Sequence, residues 1–238
     1  MQYHNAQLLY DFIKNNPVKR VLDLGTGIGA SAAVMALAFE DKKEKDYKID
    51  TIEQYDKCIA LAKEIIPQEL QTKITFVKAE PTTWKTEEIP YHYFSVYKEL
   101  PPMEYDLIIN DGPAPFEEQG KHLEEPRRLV DLPNGTIHKL TMEGKLKPGV
   151  QIVYDGRVTS LKILERYFTE NFTLNFVPQG GVDFFLLERK DNPVKLVDEQ
   201  HEAMKKNSPY FKNQKNENPI PINQQSAPST AATASPPT

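Results

Sequence analysis

Three glycines at alternate positions, in the run VLDLGTGIGASAAVMA at residues 21–36, constrain this chain more than any other feature. An apolar stretch precedes them and an alanine-rich stretch follows, so the segment predicts a strand, a tight turn and the start of a helix. Side chains at Gly25, Gly27 and Gly29 would stand where something must come close to the backbone. A turn of this kind points backbone N–H groups and a helix N-terminus at a ligand.

The spacing by itself leaves the ligand class open. Gly25-x-Gly27-x-x-Ala30 satisfies the dinucleotide pattern G-x-G-x-x-G/A. Asp23, two residues before the first glycine, argues the other way. A carboxylate there accepts a hydrogen bond from a bound ammonium group and would face a pyrophosphate unfavourably. Glu53 closes the apolar run in IDTIEQ, where it can bind the two hydroxyls of a ribose. Both cofactor classes use such an acid, so it supports a nucleoside ligand without separating them.

The 238 residues carry a net charge of −5 with acidic and basic residues interspersed. That leaves no basic footprint for duplex nucleic acid and no polybasic membrane patch. One cysteine, Cys58, excludes an internal disulfide and a cysteine-based zinc site. Its CIALAKEII context predicts a structural thiol on a helix. The N-terminus lacks a signal-peptide pattern, and no run of about 18 apolar residues occurs. The expectation is a soluble cytoplasmic protein with neither a membrane nor a nucleic-acid partner.

Along the chain, apolar strand patterns alternate with helical ones. Helices are expected at Ala6–Lys14, Ala30–Glu40, Asp56–Ile66, Asn134–Met142 and Ser160–Asn171. Strands are expected at Arg20–Leu24, Lys48–Ile52, Ile74–Val77, Asp106–Asn110 and Val150–Tyr154, with two more around Gly180-Gly181. Residues 81–104 read as a loop with a helical turn. This alternation predicts an α/β, doubly wound, mostly parallel sheet. The closing pair must be antiparallel, because a few turn residues join only antiparallel neighbours. Composition shifts near Arg189: residues 1–190 read as one domain and 191–238 as a polar, proline-rich, largely disordered tail with a short helix at Val197–Lys206.

VLDLGTGIG, IDTIEQYDKCIALAKEII, ITFVKAEP, YDLIINDGP and LKPGVQIVYDGR fall in an order and spacing that resembles the class I S-adenosylmethionine-dependent methyltransferases, over roughly residues 18–190. The resemblance implies a Rossmann-like seven-stranded sheet with a reversed last strand. It also implies a cofactor site: Asp23, Gly25, Thr26, Gly27 and Gly29 around the methionine portion, Glu53 and Gln54 at the ribose, Ala79 and Glu80 at the adenine, and Asn110 and Asp111 beside the methyl sulfonium. The 30 positions from Asp23 to Glu53 exceed the family's usual spacing, and the insert EDKKEKD accounts for them as a longer surface loop.

NDGPAP stands where base-directed amino methyltransferases carry N/D-P-P-Y, which argues against that class. DGP and YDGR look more like small-molecule O-methyltransferases of the catechol type and related sugar-modifying groups. The metal-dependent members hold magnesium with an Asp at one site and an Asp-Asn pair at the other; Asp111 and Asp155 match, but Gly156 stands at the Asn position. Asp111 and Asp155 are therefore candidate magnesium ligands and catalytic residues, and His138, in the long polar connection between them, is a further candidate catalytic residue for acid/base work or for a substrate anion. Arg127, Arg128, His122 and His92 are further candidates for acid/base work or for a substrate anion, and Trp84, Tyr91, Tyr93, Phe94 and Tyr97 for a roof over a small-molecule acceptor. The rival readings are an N- or protein-directed methyltransferase, a non-catalytic nucleoside-binding module and an NAD-dependent dehydrogenase.

Overall fold

The computed structural model describes residues 3–89, 93–102, 104–113, 132–176 and 184–196. Its main sheet has seven strands: β1 (Arg20–Leu24), β2 (Lys48–Glu53), β3 (Ile74–Lys78), β6 (Leu107–Asn110), β7 (Gln151–Asp155), β8 (Phe172–Phe176) and β9 (Phe184–Arg189). They lie in the order β3-β2-β1-β6-β7-β9-β8. β1 pairs in parallel with β2 on one side and β6 on the other, which is why Val21, Leu22, Asp23 and Leu24 are all buried. The chain runs outward from β1 in one direction and returns through β6 and β7 in the other. That reversal opens a crevice at the C-terminal ends of β1 and β6, where sheets of this class bind ligands.

Successive strand residues point to opposite faces, and each face carries its own core. α1 (Tyr3–Asn15) and α2 (Ala30–Lys42) cover one face, with Leu9, Ile13, Met35 and Phe39 packed on Val21, Ile49 and Ile109. The other face packs Leu22, Leu24, Ile108 and Ile152 against Phe94, Leu161 and Phe168. α3 (Asp56–Ile65) and the single turn α4 (Gln68–Gln71) link β2 to β3. β9 is antiparallel to both β7 and β8, so the reversed closing strand is present as expected.

The expected loop at 81–104 is a correction. β4 (Pro81–Lys85) and β5 (Tyr93–Tyr97) form a separate antiparallel pair. Cross-strand aromatic contact explains it: Trp84 faces Phe94 with ring centroids 5.3 Å apart, and such pairs stabilise a ladder by up to about 1 kcal/mol. Prolines and glutamates in this stretch hide the pattern at the level of sequence. α5 (Thr136–Met142) docks on β5, and α6 (Val158–Phe168) follows β7.

The ordered chain continues past Lys190. Asn171 donates to Asn192 Oδ1 (3.1 Å) and the Pro193 carbonyl (2.9 Å), and its own Oδ1 accepts from the Lys195 N–H (3.1 Å). Arg189 donates to Asn192 Oδ1 and its carbonyl at 2.8 and 2.7 Å, and Leu196 packs against the core. The expected helix at 197–206 and the rest of the tail lie outside the described residues. Ending the chain at Lys190 removes several hydrogen bonds of about 1 kcal/mol each, on the order of 3 kcal/mol together. The melting temperature should then fall by about 6–12 °C, whereas a chain ending at Leu196 should melt as the full chain does. Equal melting of both truncations would remove the anchoring role.

Candidate active site

The turn after β1 is tied down first. The N–H groups of Gly25 and Thr26 both donate to the Ile52 carbonyl at 3.0 Å, and Thr26 Oγ1 lies 2.7 Å from Thr51 Oγ1. The three glycines then divide by role. A Cβ on Gly25 (φ +109°) would sit 3.0 Å from the Asp111 carbonyl carbon and the Gly112 nitrogen. One on Gly29 would meet Ile66 and Ala62 at 2.8 and 2.9 Å. Gly27 (φ +52°) has nothing within 4 Å. Gly25 and Gly29 thus admit neighbouring parts of the protein, and Gly27 alone of the three faces open space that a ligand can enter.

Asp23 is fully buried. Its Oδ2 accepts from Ser31 Oγ (2.8 Å) and Thr51 Oγ1 (2.9 Å), while Oδ1 is buried without a partner. Burial pushes its carboxyl up to about 7 from 3.8; the two hydroxyls pull against that rise, and the charges of Asp111 and Glu53 add to it. Glu53 at the end of β2 accepts from the Gly27 N–H at Oε2 (2.9 Å) and from the Gln54 and Tyr55 N–H groups at Oε1 (2.8 and 3.1 Å). It therefore braces its own loop and the glycine turn, leaving about one of a carboxylate's four lone-pair positions. Ala79 is buried and donates to the Glu53 carbonyl, Gln54 Oε1 is buried without a partner, and the Glu80 side chain is exposed.

At the end of β6, both amide atoms of Asn110 are buried without partners. Asp111 follows, and the Arg157 guanidinium donates through Nη2 to its carbonyl and, at 3.1 Å, to its Oδ1. Burial raises the Asp111 carboxyl above its ordinary range; Arg157 opposes this and the Asp155 charge adds to it. Asp155 ends β7 and accepts from Nδ2 of the buried Asn5, on α1, at 2.6 Å. Asp23, Gly27, Asp111 and Asp155 line one cavity of about 70 Å³. A larger cavity of about 870 Å³ lies against Leu22, Ile108 and Val150 and shares none of these carboxylates.

Other expected site residues fall elsewhere. His138 is fully buried on α5, with its ring 5.0 Å from Phe94 and 6.1 Å from Phe168, and it does not line the carboxylate cavity. A helix face that packs on an aromatic pair, rather than an edge that meets ligand, accounts for this histidine. Trp84 and Phe94 belong to the same apolar cluster, while Tyr93 is exposed. The Tyr97 hydroxyl reaches toward the Ile52 carbonyl (3.4 Å) beneath the glycine turn. Tyr91, His92, His122, Arg127 and Arg128 lie outside the described residues.

Ser31, Thr51, Asn5 and Arg157 were not foreseen as site residues. Ser31 is eight positions after Asp23, a spacing that a turn and one helical turn can bridge. The other three reach their carboxylates across 28, 150 and 46 positions, where sequence offers no signal. Asp111 and Asp155 as arranged do not suit magnesium, which takes oxygen ligands in near-octahedral geometry: a guanidinium already holds Asp111. Among the described residues, no group of three His, Cys, Asp or Glu side chains is placed to hold a metal ion.

Residues 2–102 match the family model described as protein-L-isoaspartate(D-aspartate) O-methyltransferase. The matched stretch contains the glycine turn, Asp23 and Glu53 and ends before Asp111. No curated protein matches the chain in sequence. Among solved structures, a putative O-methyltransferase from Klebsiella pneumoniae superposes with a TM-score of 0.50 at 18% identity, over 81% of this chain and 82% of that one. Cofactor-bound Rv0187 from MTB does so with a TM-score of 0.50 at 16% identity, over 81% and 82%. At such identities the likeness is one of fold.

Proposed function

We propose that this chain is an S-adenosylmethionine-dependent methyltransferase that methylates a hydroxyl of a small molecule, a reading supported by its fold and by the family match over residues 2–102. The observation that carries this reading is the cavity where Asp23, Asp111 and Asp155 converge, with one Asp23 oxygen buried and unpartnered. Three carboxylates around a small cavity favour a cationic ligand and disfavour an anionic acceptor. Asp23 Oδ1 would take the ammonium group of the cofactor, and the open side of Gly27 would admit its chain. The remaining acceptor position on Glu53 would take a ribose hydroxyl, with the adenine toward Ala79 and Glu80 and the methyl group near Asn110 and Asp111. At about 70 Å³ the cavity is far below the ~300–1,000 Å³ of a complete ligand pocket, so the nucleoside would lie in the groove outside it.

S-adenosylmethionine would supply an activated methyl group, with the neutral sulfide S-adenosylhomocysteine as the leaving group. This chain's contribution is then mainly positioning. Asp111, whose carboxyl burial raises above its ordinary range, would take the acceptor hydroxyl's proton as the methyl group is transferred. A protein acceptor is the second reading, favoured by the description of the matched family.

Calorimetry with S-adenosylhomocysteine and NAD separates the cofactor classes, and NAD binding without S-adenosylhomocysteine binding would overturn the assignment. Methyl-labelled cofactor added with the protein to host extract then separates the acceptors. Label in the small-molecule fraction supports the hydroxyl reading; label confined to protein supports the second.

The loop glycines offer a paired prediction. Gly25→Ala places a Cβ against backbone at 3.0 Å in a left-handed conformation, and should cost about 2–4 kcal/mol of stability, read as a lowered melting temperature. At Gly27 a Cβ meets nothing within 4 Å, so Gly27→Val should cost only about 1–2 kcal/mol of strain, yet weaken S-adenosylhomocysteine binding at least about tenfold. The reverse ranking would mean that the ligand does not approach at Gly27.

A further inference from the structure

We propose that Arg157 is the built-in cation of this site: its guanidinium, held on Asp111 at the strand end next to that of Asp155, supplies the charge that a divalent ion would bring, so the protein binds no metal there. The inference rests on the methyltransferase reading only for what the held carboxylate does.

β6 and β7 pair in parallel with Asn110 opposite Tyr154, so Asp111 and Asp155 leave neighbouring strand ends side by side. They line one cavity, and the Asp155 charge makes the charged form of Asp111 more costly. Such a pair calls for a counter-charge. Gly156 takes φ +68°, a conformation that costs glycine little, and this turns the chain so that Arg157 comes back over Asp111. Nη2 bridges the Asp111 carbonyl and Oδ1, which fixes the carboxylate relative to its own backbone. The Arg157 Nε is buried without a partner, so the guanidinium still has an N–H to offer. Asp155 accepts from Asn5, whose own Oδ1 is unpartnered.

A guanidinium is permanently charged and donates in a rigid planar fork, whereas a divalent ion must gather about six oxygen ligands. The position after Asp155 is a glycine and can contribute no side-chain oxygen. The residues present therefore satisfy the first arrangement and not the second. Arg157 acts here as a positioning residue, aiming the Asp111 carboxylate at the acceptor.

Manganese binding, read by paramagnetic resonance on the full chain, tests this without any acceptor. The wild type should bind Mn²⁺ no more tightly than about 1 mM, the weak end of protein cation sites. Arg157→Ala should leave two adjacent carboxylates without a counter-charge and bind Mn²⁺ at least about tenfold more tightly. Adding Asp155→Asn to Arg157→Ala should abolish that gain, and Arg157→Lys should show none. Arg157→Gln serves in place of Arg157→Ala if the alanine variant does not fold. Micromolar binding by the wild type that is lost in Asp111→Asn would overturn the proposal, with Asn5 then a candidate third oxygen ligand. Absence of any gain in the neutral Arg157 variants would overturn it equally. S-adenosylhomocysteine calorimetry on the same samples reports the cofactor reading separately, so either conclusion can fail while the other stands.

Discussion

Asp111→Asn is expected to slow methyl transfer by a factor of about 10²–10⁴, the usual contribution of a general base, while leaving the Kd for S-adenosylhomocysteine within a few-fold. The substitution keeps the shape of the side chain and an oxygen that can accept from Arg157 Nη2. It also keeps the Asp111 carbonyl, to which the same nitrogen donates. The turn should therefore survive, and what is lost is the capacity to take a proton. Because burial raises the Asp111 carboxyl, the wild-type rate at saturating cofactor should climb with pH above the ordinary carboxylate range, and the variant's should not. The measurement is the initial rate of label transfer from methyl-labelled cofactor into the acceptor fraction as a function of pH. An undiminished rate in Asp111→Asn would move the proton acceptor to Asp155, or mean that the acceptor needs no base.

Asp23→Asn should separate binding from stability in opposite directions. A charged hydrogen bond contributes about 1.5–3 kcal/mol, so loss of the carboxylate facing the ammonium group should weaken S-adenosylhomocysteine binding by roughly ten- to hundredfold. Stability should move the other way. The Asp23 carboxyl is raised from 3.8 to about 7, so between those pH values the folded state holds a proton that the unfolded state has lost. Stability therefore falls as pH rises through this window. Above pH 7 the buried charge costs up to about 4 kcal/mol, which the neutral asparagine avoids. Asp23→Asn should melt higher than wild type at pH 8 and close to it at pH 4. In the wild type the ligand must also displace this proton, so its Kd should be up to about tenfold weaker at pH 6 than at pH 8, and the variant should lose that dependence. A variant that binds like wild type would take Asp23 out of the cofactor site. Equal melting at pH 8 would mean that the carboxylate is solvated in the free protein.

The two aspartates show how unevenly the site could be read from sequence. Asp23 could be placed because it lies two residues from a turn whose geometry its own glycines announce. Glu53 could be placed for the same reason, at the end of an apolar strand pattern, although its three backbone hydrogen bonds could not be foreseen. Asp111 and Asp155 were recognisable as strand-end acids, but whether they hold a metal, a proton or a loop depends on Arg157 and Asn5. His138 shows the converse. Its polar, loop-rich neighbourhood in sequence suggested chemistry, and the fold buries it between Phe94 and Phe168.

From its sequence alone this protein was an alternating α/β chain with a ligand-binding turn after its first strand and a reversed strand at its end. Those features follow from apolar periodicity and turn chemistry, which act between residues a few positions apart. Three features were left to the tertiary structure: that residues 81–85 and 93–97 pair as β4 and β5, that Gly25 lies against the Asp111–Gly112 backbone, and that Arg157 meets Asp111. Each depends on backbone register and close contact between segments distant in the chain. Those contacts exist only once the strands are aligned and the side chains packed, and no local pattern of residues encodes them.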